Sequence, residues 1–543
     1  MQTINRAEEW KNAHRQTILS ESFVEVSLDI TDPEALADAA PSDNGAIYIS
    51  DSNKLTDGVV VSPSPYCTLE QNLWCLDGTR EALPESDFGE NGYVSDVLSD
   101  ETCVFNPKIP VITIDFDVVH DKRIPGVMIT WSKTYGEYAD TIEIIAYNGD
   151  TVVARKEITG NKSVETTIFT EIIGYNKIAI LIKKWCLPNH RARVEEILVG
   201  LRKVYSKTEL FDYSHTQSVD PISTALPKSE IKFSIDNLSG EYNPYNTEGL
   251  AKYLMERQEV NARYGLKMSD GTIEWIDGGT FYLSEWYAKQ NGLTADFTAR
   301  DSLEFMSAIY HDSEFTEKFD EIQANGRTLY NLATRVLEQA ELPHPSDGSP
   351  RWVIHESLRG IVTKAPLPED TLANCLQLIA NAGRGSIYPD RKGTLRIEPL
   401  INDVTDYTID SFNSYSKPEI TLSKPLKQVL VKEYTYTKGD NGIESTTVDV
   451  VTSVGREGET ITVDNPLITQ DTNASVVGQW VADYLKLRKT VDSSWRADVR
   501  LDALDIISNQ NEYNTNRVRM TDVEFKFSGA FSGTGKGKVI ENG

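Results

Sequence analysis

The chain has 543 residues, and its 82 Asp and Glu against 54 Lys and Arg give a formal net charge of −28. At about 150 residues per domain, this length predicts three or four folded units rather than one core. No run of Lys or Arg forms a basic stripe, which argues against a protein that grips nucleic acid. The start is polar, unlike a secretory signal, and the longest apolar runs, such as 178–182, are only strand-sized. We therefore expect a chain made in the cytosol, without a membrane span.

The five cysteines predict neither a disulfide framework nor a zinc site. They are odd in number and form no CxxC pair. Free cysteines are usually small buried side chains, and we expect that here.

A β sandwich over residues 61–204 is the first folded unit that the sequence predicts. Residues 1–60 are polar with one strand-like run, 23–30, and are interpreted as an N-terminal arm that needs neighbours to order it. From Pro63 onward, strand-length runs alternate with Gly, Asn and Pro, and every second position is apolar in the run ITIDF. Several short strands at this spacing indicate an antiparallel sandwich.

Two further β regions, residues 205–310 and 401–543, flank a segment of helical period at 311–400. The chain is thus predicted to be mainly β, with an N-terminal sandwich followed by two β domains that an α+β insert separates.

Three helices are expected. The first has its apolar face over residues 329–340 and ends before a proline. The second is capped by Asp370 or Thr371 and stopped by Gly383. The third, in the last β region, has its apolar face over residues 477–485.

Signatures of enzymes are missing from the sequence. It contains no HExxH, no GxSxG and no phosphate-loop motif, and its seven histidines include no i,i+4 pair. A glycosidase is not excluded by residue type, because acidic pairs such as Asp115 with Asp117 and Glu195 with Glu196 are present. The more ordinary interpretation of these carboxylates is surface charge. Cys375 lies on an apolar helix face, which favours packing over reactivity. We expect no catalytic residue, no metal and no cofactor.

Three aromatic residues form the candidate binding site. Trp131 ends a predicted strand, and Tyr135 and Tyr138 lie in the following loop, where exposed rings could stack on sugar faces. The alternative is that Trp131 belongs to the sandwich core and the tyrosines to its rim. Trp74 and Leu76, in NLWCLDGT, are interpreted as core.

Several segments, in order, resemble the hub or tail-tip proteins of long-tailed phages and prophages of Gram-positive bacteria. These segments are LTADFTARDSLEFM, RTLYNLATRVLEQAEL, DTLANCLQLIANAGRGSIYPDRKGTLRIEPL, SSWRADVRLDALDII and VEFKFSGAFSGTGKGKV. Ala497 and Ala503 stand where the family often has Gly, so a less unusual backbone turn is expected there. The stretch from Cys67 through the strands to Gly200 is similar to a discoidin-like, carbohydrate-binding-type sandwich often fused ahead of such hubs.

The resemblance implies a virion protein with a structural role. Hub proteins imply a homotrimer of two related, barrel-like β domains per chain, which presents pseudo-sixfold symmetry to the tail tube. The implied partners are the distal tail ring, the tape measure protein, and receptor-binding proteins or fibres. The acidity would suit a channel that repels DNA rather than binding it.

Two alternatives stay open. The chain could be a receptor-binding tail protein that recognises a host surface polysaccharide through its sandwich. It could also be a tail-associated cell-wall hydrolase, although the sequence ends almost directly after the segment similar to the closing hairpin of the hub.

Overall fold

The structure is a computed structural model, and it describes residues 8–16, 20–58, 65–81, 92–288, 292–345, 349–400, 404–439, 442–470 and 473–541. The predicted fold class is confirmed, because the chain is mainly β with several antiparallel sheets. Within the described residues the strands form six sheets, of which one, with thirteen strands, runs through most of the chain.

The first two hundred residues contain one strand of that large sheet and then the whole sandwich. The helices are α1 (Glu8–His14) and α2 (Pro33–Asp38). The strands are β1 (Ser22–Thr31), β2 (Ala40–Asp43), β3 (Tyr93–Leu98), β4 (Val111–His120), β5 (Ile124–Trp131), β6 (Ala139–Asn148), β7 (Thr151–Ile158), β8 (Glu165–Ile172), β9 (Tyr175–Trp185), β10 (Arg191–Leu198) and β11 (Gly200–Tyr205).

The middle of the chain first completes one half of the large sheet and then becomes partly helical. The strands are β12 (Leu210–Ser218), β13 (Lys228–Asp236), β14 (Glu259–Lys267), β15 (Ile273–Ala288), β16 (Thr294–Arg300), β17 (Arg327–Thr328), β18 (Trp352–Ile354), β19 (Val362–Thr363), β20 (Gly385–Pro389) and β21 (Leu395–Pro399). The helices are α3 (Ser313–Glu317), α4 (Phe319–Asn325), α5 (Leu329–Gln339) and α6 (Leu372–Ala382).

The last region returns to strands around one helix, α7 (Ala474–Lys486). Its strands are β22 (Val404–Ile409), β23 (Glu419–Leu422), β24 (Leu426–Gly439), β25 (Gly442–Ser453), β26 (Glu459–Val463), β27 (Lys489–Arg496), β28 (Ile506–Gln510), β29 (Thr515–Phe527) and β30 (Phe531–Glu541).

The large sheet joins the two predicted β regions. Its strand order is β11-β1-β14-β15-β16-β13-β12-β29-β30-β27-β23, and β28 with β22 extends it beside β29. The two regions meet where β12 pairs antiparallel with β29, from Tyr213 opposite Phe527 to Ser218 opposite Asp522. Alternate residues of β16 are buried, which gives the sheet one apolar face for a shared core.

The sandwich is built from a five-stranded sheet, β2-β4-β9-β6-β7, and a four-stranded sheet, β3-β10-β5-β8. The alternation predicted in β4 is confirmed, because Ile112, Ile114 and Phe116 are all buried in the core between the two sheets.

The sandwich is an insertion between two neighbouring strands of the large sheet. The chain leaves β1 for the sandwich and returns through β11, which pairs antiparallel with β1 and places Thr31 opposite Gly200. Gly200 has a φ of +149°, and a Cβ there would collide with the carbonyl oxygen of Ile30, so glycine is required. The strand-like run of the predicted N-terminal arm is β1, which lies between β11 and β14. We call the β1/β11 pair the root of the sandwich.

The three predicted helices are confirmed as α5, α6 and α7. Thr371 is the N-cap of α6, since its side chain accepts a hydrogen bond from the Asn374 N–H at 3.2 Å. The insert shares its core with β24, β26 and α7, so part of the last region packs on the insert rather than on the large sheet.

Of the five cysteines, Cys67 and Cys375 are buried and the other three are partly buried, and none forms a disulfide.

Candidate functional site

Trp131, the first predicted site residue, lies in the sandwich core. Its side chain is completely buried at the end of β5, and its ring meets that of Trp185 edge-on with centroids 5.9 Å apart. The indole Nε1 donates a hydrogen bond to the Thr166 hydroxyl at 2.8 Å. The ring therefore has no free face for a sugar. Trp131 belongs to the sandwich core, which was the alternative interpretation of the sequence.

Tyr135 and Tyr138 are both partly buried. The Tyr135 hydroxyl donates to the Tyr66 carbonyl oxygen and accepts from the Tyr66 N–H, both at 2.9 Å. The guanidinium carbons of Arg80 and Arg193 lie 5.2 and 4.9 Å from the Tyr135 ring centroid. Tyr135 is thus a bridge between the sandwich and the 65–81 loop.

A buried ionic network fastens the 65–81 loop to the end of the sandwich. Glu137 contacts His190 Nδ1 at 2.8 Å and Arg193 at 3.3 Å, and Arg193 also pairs with Glu70 of the loop. Burial lowers the pKa of His190, but the hydrogen bond and charge of Glu137 outweigh it and raise that pKa. The adjoining cavity is only about 10 Å³, about enough for one water molecule, so the network braces the loop rather than lining a ligand site.

Two residues that the sequence assigns to the core are exposed on the 65–81 loop. Trp74 is 56% exposed and Leu76 is 65% exposed. The loop turns through left-handed residues, Asn72 with φ 63° and Gly78 with φ 88°. The turn formers around NLWCLDGT were a signal that this segment is a loop rather than a buried strand.

A second arrangement joins the two β regions to the insert through one arginine, Arg391. Its Nε lies 3.1 and 3.0 Å from the two carboxylate oxygens of Asp502. One terminal nitrogen donates to the Val499 carbonyl oxygen at 2.7 Å, and the other donates to that of Asp277 at 3.0 Å. Arg391 lies in the turn between β20 and β21, so a single side chain connects three parts of the chain.

Asp502 is equally well partnered. Gln217 of β12 donates to it at 3.0 Å and accepts from the Ala503 N–H at 2.7 Å. Burial alone would raise the pKa of Asp502, but the charge and hydrogen bonds of Arg391 outweigh it and lower that pKa. We call Arg391, Asp502 and Gln217 the joint. Neither Ala497 nor Ala503 has a positive φ, whereas the neighbouring Leu504 has one of 73°.

The large sheet ends in an exposed strand on the side of the last region. Within the described part of the chain, β23 pairs only with β27, and its Ile420 and Leu422 are exposed. Beside it lies an open groove of about 900 Å³ that includes the exposed rings of Tyr415 and Tyr513. Unpaired strand edges invite pairing with another chain.

Among the described residues, no group of three or more His, Cys, Asp or Glu side chains is placed to hold a metal ion. Within the same ranges, no helix has the length and apolarity needed to cross a membrane.

No protein-family model and no curated protein matches the sequence. Among solved structures, the chain is similar to the 43 kDa tail protein of prophage MuSo2 from Shewanella oneidensis, with 12% identity over 62% of this chain and 95% of that one and a TM-score of 0.40. It is similar to the tail protein from Neisseria meningitidis, with 12% identity over 62% and 93% and a TM-score of 0.41. It is also similar to the lectin domain of Lectinolysin, solved with the Lewis b antigen, with 12% identity over 31% and 95% and a TM-score of 0.21.

Proposed function

We propose that the chain is a structural subunit of a phage tail, three copies of which form a hub ring that connects the tail tube to the host-attachment apparatus. The joint is the observation that carries this proposal. Arg391 and Asp502 lie in two of the segments that resemble hub proteins, and they meet in one buried ion pair. That pair and the β12/β29 pairing connect two β regions that are far apart in sequence.

Assembly into a ring is supported by the exposed end of the large sheet. Ile420 and Leu422 are apolar, yet they are exposed on an edge strand of only four residues. A second copy that covered this edge and the adjoining groove would remove apolar surface from water and protect unpaired backbone groups. We therefore assign one face of the subunit contact to β23.

The contact is tested by charging that edge. Lys at both Ile420 and Leu422 is expected to convert trimer to monomer in native mass spectrometry, because burying two unpaired cations in the contact would cost their hydration. The matched control is Val152→Lys on β7, an exposed edge valine of the sandwich, and it should leave the trimer intact. A wild-type chain that stays monomeric at the concentration found in tails contradicts the ring.

The net charge of −28 is also compatible with a DNA channel, because a lumen that repels phosphate lets DNA pass without binding. A density map of assembled tails with Lys and Arg lining the lumen would contradict this part of the proposal.

A second candidate function is glycan recognition by the sandwich, and the exposed Trp74 is the observation that favours it. An indole held at the end of a rigid sandwich can stack on a sugar face. The test is a glycan array with the full chain, in which Trp74→Ala abolishes every signal and Tyr245→Ala, a still more exposed aromatic outside the sandwich, abolishes none. An array without signal for the wild-type chain leaves the sandwich as a spacer or docking unit.

A further inference from the structure

A cleft of about 690 Å³ lies where the sandwich, the large sheet and the insert meet. Its walls come from the root of the sandwich, from β10 and β14, and from the end of α5 with the segment that follows it. Nine acidic and arginine residues line it, among them Asp29, Glu196, Arg202, Arg257 and Glu259. Six of these are acidic and three are arginines, so the cleft is negative.

The negative charge concentrates around Arg202 at the root. Arg202 faces Asp29 across the β1/β11 pair, and its Nε and one terminal nitrogen donate to the two Asp29 oxygens, both at 2.7 Å. The charges of Arg202 and Asp29 therefore already compensate each other. Glu196 and Glu259 line the same cleft, so three carboxylates share one guanidinium.

Glu196 forms a long ion pair with Arg202, but one of its oxygens has no hydrogen bond. It is 6% exposed, and its Oε1 makes no hydrogen bond, since the nearest Arg202 nitrogen lies 3.8 Å away. A buried carboxylate oxygen without a donor costs free energy, because it has lost its hydration and gained no hydrogen bond in return. Loss of hydration raises the pKa of both Glu196 and Glu259, and the negative charge of Asp29 adds to each shift.

Aromatic rings complete the lining of this cleft. Tyr282, Phe305 and Trp352 all contribute to its wall, and Tyr282 meets Phe305 edge-on with centroids 4.6 Å apart. The guanidinium carbon of Arg257 already lies 5.0 Å from the Phe305 ring centroid. Ring faces beside carboxylates suit a cation with an apolar stem.

We propose that this cleft binds an organic cation, the guanidinium or ammonium group of a basic side chain on a partner protein. No group of three or more His, Cys, Asp or Glu within the described ranges is placed to hold a metal ion. A guanidinium that donates to Glu196 Oε1 would satisfy the unpartnered oxygen and bring the charge at the root closer to balance. The inference does not depend on the proposed tail function.

The test is isothermal titration of the full chain at pH 8 and low salt with N-acetyl-argininamide, which carries one cation. Its neutral counterpart is N-acetyl-citrullinamide. We expect saturable binding of one arginine derivative per chain and none of the citrulline derivative. Equal binding of both, or no saturable binding of the arginine derivative, overturns the proposal.

Substitutions locate the site. Glu196→Gln should weaken binding at least tenfold, which corresponds to about 1.4 kcal/mol, while Glu285→Gln, an exposed carboxylate outside the cleft, should leave it unchanged. The amide keeps the shape of Glu196 and removes an unbalanced charge, so the melting temperature should not fall. Undiminished binding by Glu196→Gln overturns the assignment.

The source of the cation is distinguished with a blocked pentapeptide, acetyl-Gly-Gly-Arg-Gly-Gly-amide. Tighter binding of the pentapeptide than of N-acetyl-argininamide identifies a protein segment as the ligand and supports the full proposal. Equal affinity supports the cation site but overturns the assignment of the cation to a protein partner.

Discussion

The joint and the root of the sandwich both connect large parts of the chain, and each has a buried or partly buried arginine at its centre. At the joint, Arg391 is matched by one carboxylate and by carbonyl oxygens, and Asp502 is fully hydrogen-bonded. At the root, Arg202 pairs with Asp29 and Glu196 and also feels the charge of Glu259, and one oxygen of Glu196 has no hydrogen bond. The difference indicates that the joint is complete within one chain, whereas the root has room for a further positive group.

The largest effect should come from Arg391→Met, which leaves Asp502 as an uncompensated buried charge. Such losses cost about 3–5 kcal/mol, and we expect a decrease of that size in the free energy of unfolding, measured with urea. The control is Arg359→Met, which breaks an exposed pair with Glu356, where a change of at most about 1 kcal/mol is typical. Similar losses in both variants would mean that the joint is no stronger than a surface pair.

Gly200→Ala should have an intermediate effect on the root. Its φ of +149° and the nearby Ile30 carbonyl oxygen leave no room for a methyl group, so we expect a loss of about 2–3 kcal/mol. Gly360→Ala, where a Cβ meets nothing within 4 Å, should be nearly neutral. Differential scanning calorimetry of both variants measures the difference, and an unchanged transition in Gly200→Ala would show that the root can rearrange.

The smallest effect, and the one of opposite sign, should come from Glu259→Gln at the root. Because the pKa of Glu259 is raised in the folded chain, the folded state holds its proton more tightly, so the stability it contributes is lost as pH rises from the unfolded pKa through the folded one. The variant should therefore match the wild type below the unfolded pKa, near pH 4, and exceed it by on the order of 1 kcal/mol at pH 8. Urea unfolding at both pH values checks this. The pKa of Asp502 is lowered in the folded chain. The stability that Asp502 contributes is therefore lost as the pH falls, not as it rises.

Local patterns predicted the helices well and the connections poorly. The apolar face of α5 and the cap of α6 are set by residues three or four positions apart, which a sequence displays directly. The strand-like run at 23–30 predicted a strand, yet it contains no information on which strands pair with it. Its partners lie at 200–205 and 260–266, so the insertion of the sandwich could not be inferred locally.

The candidate site was missed for a related reason. Trp131 and Trp74 both lie next to predicted turns. The sequence makes Trp131 a candidate for exposure and assigns Trp74 to the core, whereas the structure has the reverse, because burial depends on which sheet covers a ring. The sequence displayed the two segments of the joint but not the contact between them. The DR of YPDRKG and the LDALD turn supported the resemblance as separate segments, but their contact is a property of the folded chain.

The root also has a mechanical consequence. A force applied to the sandwich is transmitted to the large sheet at the Thr31 and Gly200 pair, which lies at one end of the β1/β11 ladder. The hydrogen bonds of the ladder therefore break one after another rather than all at once. β1 is held on its other side by β14, whereas β11 is the last strand in its direction among the described residues. Under force, β11 therefore separates from the sheet first, and each released residue lengthens the connection to the sandwich by about 3.3 Å. The remaining strands of the large sheet stay paired, and the sandwich stays connected to them.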